Sequence, residues 1–206
     1  STPAPSTDDT PARVPTPIGL MIFAYACFFF SQIVFYIIPT QLPFYLNTLT
    51  GATSSQSGLA IAWMSICYAF SSSQAGRFGA KFEHLTLVIG AFIITSMGYM
   101  LVALAQNWVL IIIGLPISGF GLGLLIPMLN VWLAEKTPLA IRGRVFSGVT
   151  TSFFLGQFLS PIVAQPIINL TSISTGFFIN ALVLGMVGVL FIFIKPMVIR
   201  FSEWVR

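Results

Sequence analysis

The sequence predicts an all-α integral membrane protein of six transmembrane helices, and three observations carry that prediction. Of 206 residues, 56% are hydrophobic and only 7% are charged, with a mean hydropathy of +0.95. A water-soluble domain carries about 25% charged residues, so this chain lacks the charge to cover a water-facing surface. The apolar residues fall into six runs, each able to supply the roughly 20 residues that a spanning helix needs. The charges sit in the gaps. The clearest gap is Glu135–Gly148, which places Glu135, Lys136, Arg142 and Arg144 between the charge-free runs Trp108–Ala134 and Val145–Ile168. A charged knot between two membrane-length segments marks a turn at one face of a bilayer.

The chain opens at Ser1 rather than Met, as expected of a processed or truncated product. Residues 1–17 are rich in Pro, Ser and Thr and include Asp8, Asp9 and Arg13. With so few apolar residues this stretch reads as a disordered linker or tail. It is no signal peptide, because a basic start and a short apolar core are missing. The six apolar segments follow at Ile18–Leu46, Gly58–Ala75, Leu85–Ala105, Trp108–Ala134, Val145–Ile168 and Ile173–Ile194. The second is the shortest, and the first and fourth are long. Residues 18–194 thus form the transmembrane bundle, and residues 195–206 form a tail.

Basic residues order these segments across the membrane. They occur at Arg13, at Arg77 and Lys81, at Lys136, Arg142 and Arg144, and at Lys195, Arg200 and Arg206. Those groups fall before the first segment, after the second, after the fourth and after the sixth. The intervening gaps, Thr48–Ser57, Gln106–Asn107 and Asn169–Ser172, carry no charge. All nine basic residues therefore share one side, which the positive-inside rule makes cytoplasmic, with both termini inside. That placement explains the net charge of +4 without a nucleic-acid partner. Cys27 and Cys67 lie within apolar runs and read as small buried hydrophobes. Trp108 and Trp132 fall near opposite ends of the fourth segment, where interface-anchoring aromatics belong. Asn169-Leu170-Thr171 matches a glycosylation sequon but lies against a helix end, and is read as chance.

The gap Glu135–Gly148 has the form E-x-x-P-x-x-x-R-G-R-x-x-x-G. It resembles the cytoplasmic loop between helices ten and eleven of major facilitator superfamily transporters. Gly76-Arg77-Phe78-Gly79-Ala80-Lys81-Phe82-Glu83-His84 is similar to a worn copy of the loop signature between helices eight and nine, G-x-x-x-D-R-x-G-R. Gly76 and Lys81 fit; Ala80 stands at the acid, Glu83 at the Gly and His84 at the Arg. The resemblance covers about Ile18 to Ile194. It implies the C-terminal half of a twelve-helix transporter, built as two inverted three-helix repeats, with residues 1–17 ending the central linker. The run Thr150–Pro161 is similar to efflux-type members. The resemblance further implies that Gly76, Arg77, Lys81, Pro138, Arg142, Gly143 and Arg144 belong to loops that lock helix ends in one conformation and release them in another. The residue pattern alone asks of these cations only that they hold the loops inside.

Interrupted helices at corresponding positions of two repeats point to a substrate site. The first segment holds Pro39 and Pro43, and the fourth holds Pro116, Gly119, Gly121, Gly123 and Pro127. Each opens its own triplet. Gln32 lies on a face with Tyr25, Phe28, Phe29, Tyr36 and Thr40, and a Gln in hydrocarbon is costly without a partner or water. Gln32 and Tyr36 are therefore the leading cavity candidates, with Asn130, Gln157 and Asn180 following by the same reasoning. An interhelical hydrogen bond is the alternative for each. Gly148, Ser152, Gly156 and Ser160 recur at four-residue spacing, and they read as a close-packing stripe, as do Gly119 and Gly123.

All five acids and His84 lie outside the six segments. A proton relay uses such residues inside a bundle, so a proton-coupling acid would have to lie in another half. The same pattern leaves no catalytic residues, no metal-ligand cluster and no filter-like segment, and calls for no cofactor. The expectation is one half of a secondary transporter. It would move a small, apolar or amphipathic solute by alternating access in an efflux-like direction, in a plasma (inner) membrane. Its partners are the solute, the bilayer and an N-terminal six-helix half, in the same chain or a separate one. A non-transporting six-helix scaffold or assembly subunit is the alternative.

Overall fold

The computed structural model describes residues 18–204, apart from the side chains of Leu20, Ile194 and residues 196–204. The expected linker 1–17 and the basic side chains of Arg13, Arg200 and Arg206 lie outside the described residues. The fold is six helices: α1 (Ile18–Thr50), α2 (Ser54–Gly79), α3 (His84–Ala103), α4 (Trp108–Lys136), α5 (Leu139–Leu170) and α6 (Ile173–Trp204). The number and order of elements are those the apolar runs predict.

Five of these helices are long and apolar enough to cross a membrane by themselves. The exception is α2, which has the length, 26 residues, but is diluted by Ser54, Ser55, Ser57, Ser65, Ser71, Ser72 and Ser73. The shortest helix is α3, with 20 residues, and not the second element as the sequence suggests. The difference has a simple cause. An apolar run measures the hydrocarbon-matched part of a helix, and α2 continues beyond it at both ends. At its start Thr53 accepts from the Gln56 amide while the Gln56 side chain accepts from the Thr53 N–H, a complete capping box.

The gap Glu135–Gly148 is also more helical than expected. Only Thr137 and Pro138 lie between α4 and α5. Pro138 takes φ −56° and ψ 142°, and α5 begins at the next residue. Proline lacks the N–H that a helix start leaves unbonded in any case. Arg142, Gly143 and Arg144 therefore occupy the opening turns of α5.

Helix α4 is the centre of the bundle and packs against both α2 and α3; α3 also packs on α6, and α1 on α5. Glycines set those seams. A Cβ at Gly119 or Gly123 would strike the α2 carbonyls of Met64 and Tyr68, and one at Gly121 would strike Thr95 on α3. A Cβ at Gly98 would meet the backbone at Ser118. Small residues let helices approach to backbone contact, and in lipid that contact substitutes for a hydrophobic driving force. The α5 stripe behaves the same way. Gly148 lies under the Tyr25 ring, Gly156 under the Phe29 carbonyl, and Ser160 Oγ donates to Ile33 O at 2.6 Å.

Aromatic side chains fill the space among α1, α3 and α6. Phe23 meets Phe191 at 5.0 Å between ring centroids, and Phe177 meets Tyr45 at 5.5 Å and Tyr99 at 5.9 Å. Trp132, expected at a membrane interface, is instead buried, with Phe23 edge-on at 5.6 Å. Its position near a helix end matches an anchor, but α1 covers that face.

Candidate functional site

Two arrangements bring chemistry-bearing residues together. The first is the seam between α1 and α5, which run parallel. Gln32 on α1 is 3% exposed, and its Oε1 accepts from Gln157 Nε2 of α5 at 3.1 Å. Two to three turns along, buried Gln41 donates to Gln165 Oε1 at 3.0 Å, and Gln165 donates to Asn169 Oδ1 at 2.7 Å. Gln157, Pro161, Gln165 and Asn169 recur every fourth residue, so they form one stripe along α5. At the other end of the seam the Tyr25 hydroxyl donates to Val145 O at 3.0 Å. Each buried amide has a partner, which the low dielectric demands.

The turn of α1 beside this seam has an unusual set of main-chain partners. Ile33 O accepts from Ser160, Val34 O from the Tyr99 hydroxyl at 2.6 Å, and Tyr36 O from Thr40 Oγ1 at 2.7 Å. Pro39 has no N–H to offer Phe35 O. Four consecutive carbonyls are thus shared with side chains or released from the helical ladder. Tyr36 sits at this turn, half-buried, one helical turn from Gln32.

The structure therefore unites two of the five cavity candidates, Gln32 and Gln157, leaves Tyr36 beside them, and places Asn180 half-buried on α6. Asn130 lies apart, half-buried in the last two turns of α4. The interhelical hydrogen bond named as the alternative for Gln32 is present. The pairing could not be read from sequence, because it depends on the register of α1 against α5.

The second arrangement lies at the end of the bundle where α2 meets α3 and α4 meets α5. The described basic side chains, Arg77, Lys81, Lys136, Arg142, Arg144 and Lys195, gather there. Arg142 Nη2 donates to Ala134 O at 2.7 Å and to Thr137 O at 3.3 Å. Thr137 Oγ1 donates to Leu133 O at 2.6 Å. Together they cap the last turn of α4, where carbonyls lack helical partners and cations are favoured. Arg142 Nε is buried without a partner. Arg144 is exposed, Arg77 donates to Gln74 on its own helix at 2.9 Å, and Lys81 is exposed in the α2–α3 turn. Pro138 forms the corner. Gly76 and Gly143 have open space where a Cβ would stand. Helix α3 starts within this group: Lys195 of α6 pairs with Glu83 at 2.7 Å, and His84 lies 3.5 Å from Glu135 of α4.

A further feature escaped the sequence reading. An open apolar groove of about 370 Å³ runs between α2 and α4 at the opposite end, walled by Leu59, Trp63, Trp108 and Ile112. Trp63 Nε1 donates to Ile112 O at 3.2 Å. A proline four residues after a carbonyl was the available signal, since Pro116 cannot supply the N–H that Ile112 O would ordinarily accept.

Comparison with known proteins matches residues 24–202 to the family model described as Major Facilitator Superfamily. The chain is 30% identical over 142 residues to "Multi-drug resistance efflux pump PmrA homolog" of Lactococcus lactis subsp. lactis (strain IL1403), covering 68% of this chain and 35% of that protein. It is 37% identical over 99 residues to "Sugar transporter ERD6-like 9" of Arabidopsis thaliana, covering 44% and 29%. The chain thus spans about a third of the length of these relatives. Among solved structures, the POT family transporter PepTSo superposes with a TM-score of 0.74 at 16% identity, covering 88% of this chain and 38% of that one. The xylose transporter XylE from E. coli, in an inward open conformation, superposes with a TM-score of 0.64 at 21% identity, covering 84% and 47%. These two likenesses establish the fold.

Proposed function

The chain belongs to the major facilitator superfamily, and on that premise we propose that it is the C-terminal six-helix half of a secondary transporter. In this reading it carries a small, neutral, apolar or amphipathic solute outward by rocking against an N-terminal six-helix half. The observation that carries it is the Gln32–Gln157 pair: two uncharged amides facing each other across α1 and α5, inside the charge-free stretches 18–50 and 145–170. Gln32 is 3% exposed and backs half-buried Gln157, which with half-buried Tyr36 would offer a solute hydrogen bonds without a counter-ion for a charge. The efflux-pump relative supports the direction.

Helix α2 supports the partner half. Its only buried residues are Ser57, Met64, Ser71 and Ala75, a narrow stripe against α4. The uncovered surface mixes Leu59, Trp63, Ile66 and Phe70 with the exposed serines Ser54, Ser55, Ser65 and Ser73, and α2 falls short of the hydropathy of the five spanning helices. A second bundle or a water-filled cavity satisfies it. The gathering of cations at one end supports a cytoplasmic assignment for that end, with both termini inside a plasma (inner) membrane. Arg142 and Pro138 then fix the α4–α5 corner, while Arg77, Lys81 and Arg144 are left to meet the partner half, and Gly76 and Gly143 keep the contact close.

The test is export of lipophilic dyes from cells expressing the protein in its longest native form. Q32L/Q157L/Y36F should insert normally and lose export. Export at the wild-type rate would remove these residues from the pathway, and no export by the wild type under any gradient would favour a scaffold.

A further inference from the structure

The groove between α2 and α4 lies at the end of the bundle remote from the described cations. Gln56 in the first turn of α2 and Trp108 at the start of α4 mark its outer limit, and Trp63 and Leu115 lie deeper. From Trp108 to Leu115 is seven residues, so the groove runs about 10 Å inward along α4. Its walls carry no charge, and its one released main-chain acceptor, Ile112 O, is met by the Trp63 indole at 3.2 Å. A donor supplied in that way is what a wall facing hydrocarbon requires. Gln56 is the polar side chain of the lining. Its Oε1 accepts from the Thr53 N–H at 2.9 Å, while its Nε2 has no partner among the described residues.

The uncovered surface of α2 is two-faced. Leu59, Trp63, Ile66 and Phe70 are exposed at steps of four, three and four residues, so they form one apolar flank that leads into the groove. Val109, Ile112 and Ile113 continue it as exposed residues of α4. Gly58, Ala62, Ser65 and Ala69, also exposed, form a second flank about 100° round the helix. Small residues suit close approach of another helix; indoles and branched chains do not. Tyr68, whose ring meets Phe35 of α1, is about 140° round α2 from Trp63. The groove therefore opens away from the α1–α5 seam and its amides.

We propose that this groove is a lipid site, holding one acyl chain of a lipid from the leaflet at that end. An apolar groove excludes water, and left empty its walls would lose their dispersion contacts. A chain laid against Trp63, Ile112 and Leu115 restores them. Indoles belong at the level where chain gives way to headgroup, and the Gln56 Nε2 is a donor there for an ester carbonyl. Such a lipid sits in the groove whatever solute the protein carries.

Photo-crosslinking tests this. The longest native form is placed in vesicles of phosphatidylcholine that include a phosphatidylcholine with a diazirine in one acyl chain, and adducts are mapped by mass spectrometry. Exposed Leu182, Met186 and Phe193 of α6 serve as the reference for ordinary lipid contact. Adducts are expected in the groove as well as on α6. A60F, which fills the groove with a ring, should abolish the groove adducts and leave those on α6 as before; A60L serves if A60F does not fold. Labelling of α6 alone would mean that another segment covers the groove, and overturns the proposal. Groove adducts that survive both substitutions would be passing contact with the bilayer, and overturn it equally. So would their loss to an excess of the neutral dye Nile red with α6 still labelled, since the groove would then belong to a solute.

Discussion

The indole N–H of Trp63 donates to the carbonyl of Ile112, the carbonyl that Pro116 leaves without its helical partner. A main-chain acceptor facing hydrocarbon without a donor is costly, and α2 supplies the donor in trans. The proline that interrupts α4 and the tryptophan that faces it are therefore one device. W63F, which keeps the ring and loses the N–H, should destabilise the protein by about 1 kcal/mol. In a P116A background the main-chain N–H regained at that position serves Ile112, so the same change should cost much less. Thermal unfolding of the four variants measures the difference, and equal costs in both backgrounds would refute the pairing.

The Gln32–Gln157 bond makes a non-additive prediction. Q157L leaves a buried amide at Gln32 unpaired, at a cost of about 1–3 kcal/mol. Q32L/Q157L removes both polar groups and should recover part of that loss, because two leucines fill the seam without an unmet hydrogen bond. Denaturation in detergent reads the recovery. A double variant as unstable as the sum of the singles would mean that the amides do not depend on each other.

The glycines divide into two kinds, and substitution should sort them. G123A and G119A place a methyl group on an α2 carbonyl and should force α2 and α4 apart, costing about 1–3 kcal/mol. G143A and G76A, at helical positions, meet nothing within 4 Å and should hold stability or raise it by up to about 1 kcal/mol. If G143A or G76A then alters transport, packing within this bundle does not account for it, which is the outcome that the proposed contact with a partner half predicts. Expression level and melting temperature separate the two kinds before any transport assay.

How much was legible follows the physics of the membrane. Apolar runs fixed the number and order of helices, because only an internally bonded helix lets backbone cross hydrocarbon in a chain of this pattern. Four-residue spacing in Gly148, Ser152, Gly156 and Ser160 exposed a packing stripe, because periodicity alone puts those residues on one face. Helix ends were not legible. A helix can carry charge once it leaves the hydrocarbon, so Arg142 and Arg144 looked like loop residues and prove helical. Trp132 could not be told from an interface anchor, because its burial under Phe23 depends on where α1 lies. In the candidate site the individual amides of Gln32 and Gln157 stood out by their cost, but their mutual bond needed the register of two helices 125 residues apart.

Arg142 and Arg144 are two residues apart and have the same charge, yet the structure divides their labour. Arg142 turns back to the carbonyls of Ala134 and Thr137 and completes the cap on α4; Arg144 is exposed on the surface of α5. R142A removes a charge-assisted bond from two carbonyls and should cost about 1.5–3 kcal/mol. R142K should recover little, since a point ammonium lacks the planar fork with which guanidinium reaches neighbouring acceptors. R144A should leave unfolding within about 0.5 kcal/mol of wild type, as exposed substitutions do. A transport defect in R144A is then what the proposed contact with a partner half predicts, whereas one in R142A is expected to track the loosened corner. Melting curves decide the matter: R144A as unstable as R142A would show that both arginines serve the corner and that neither is free for a partner.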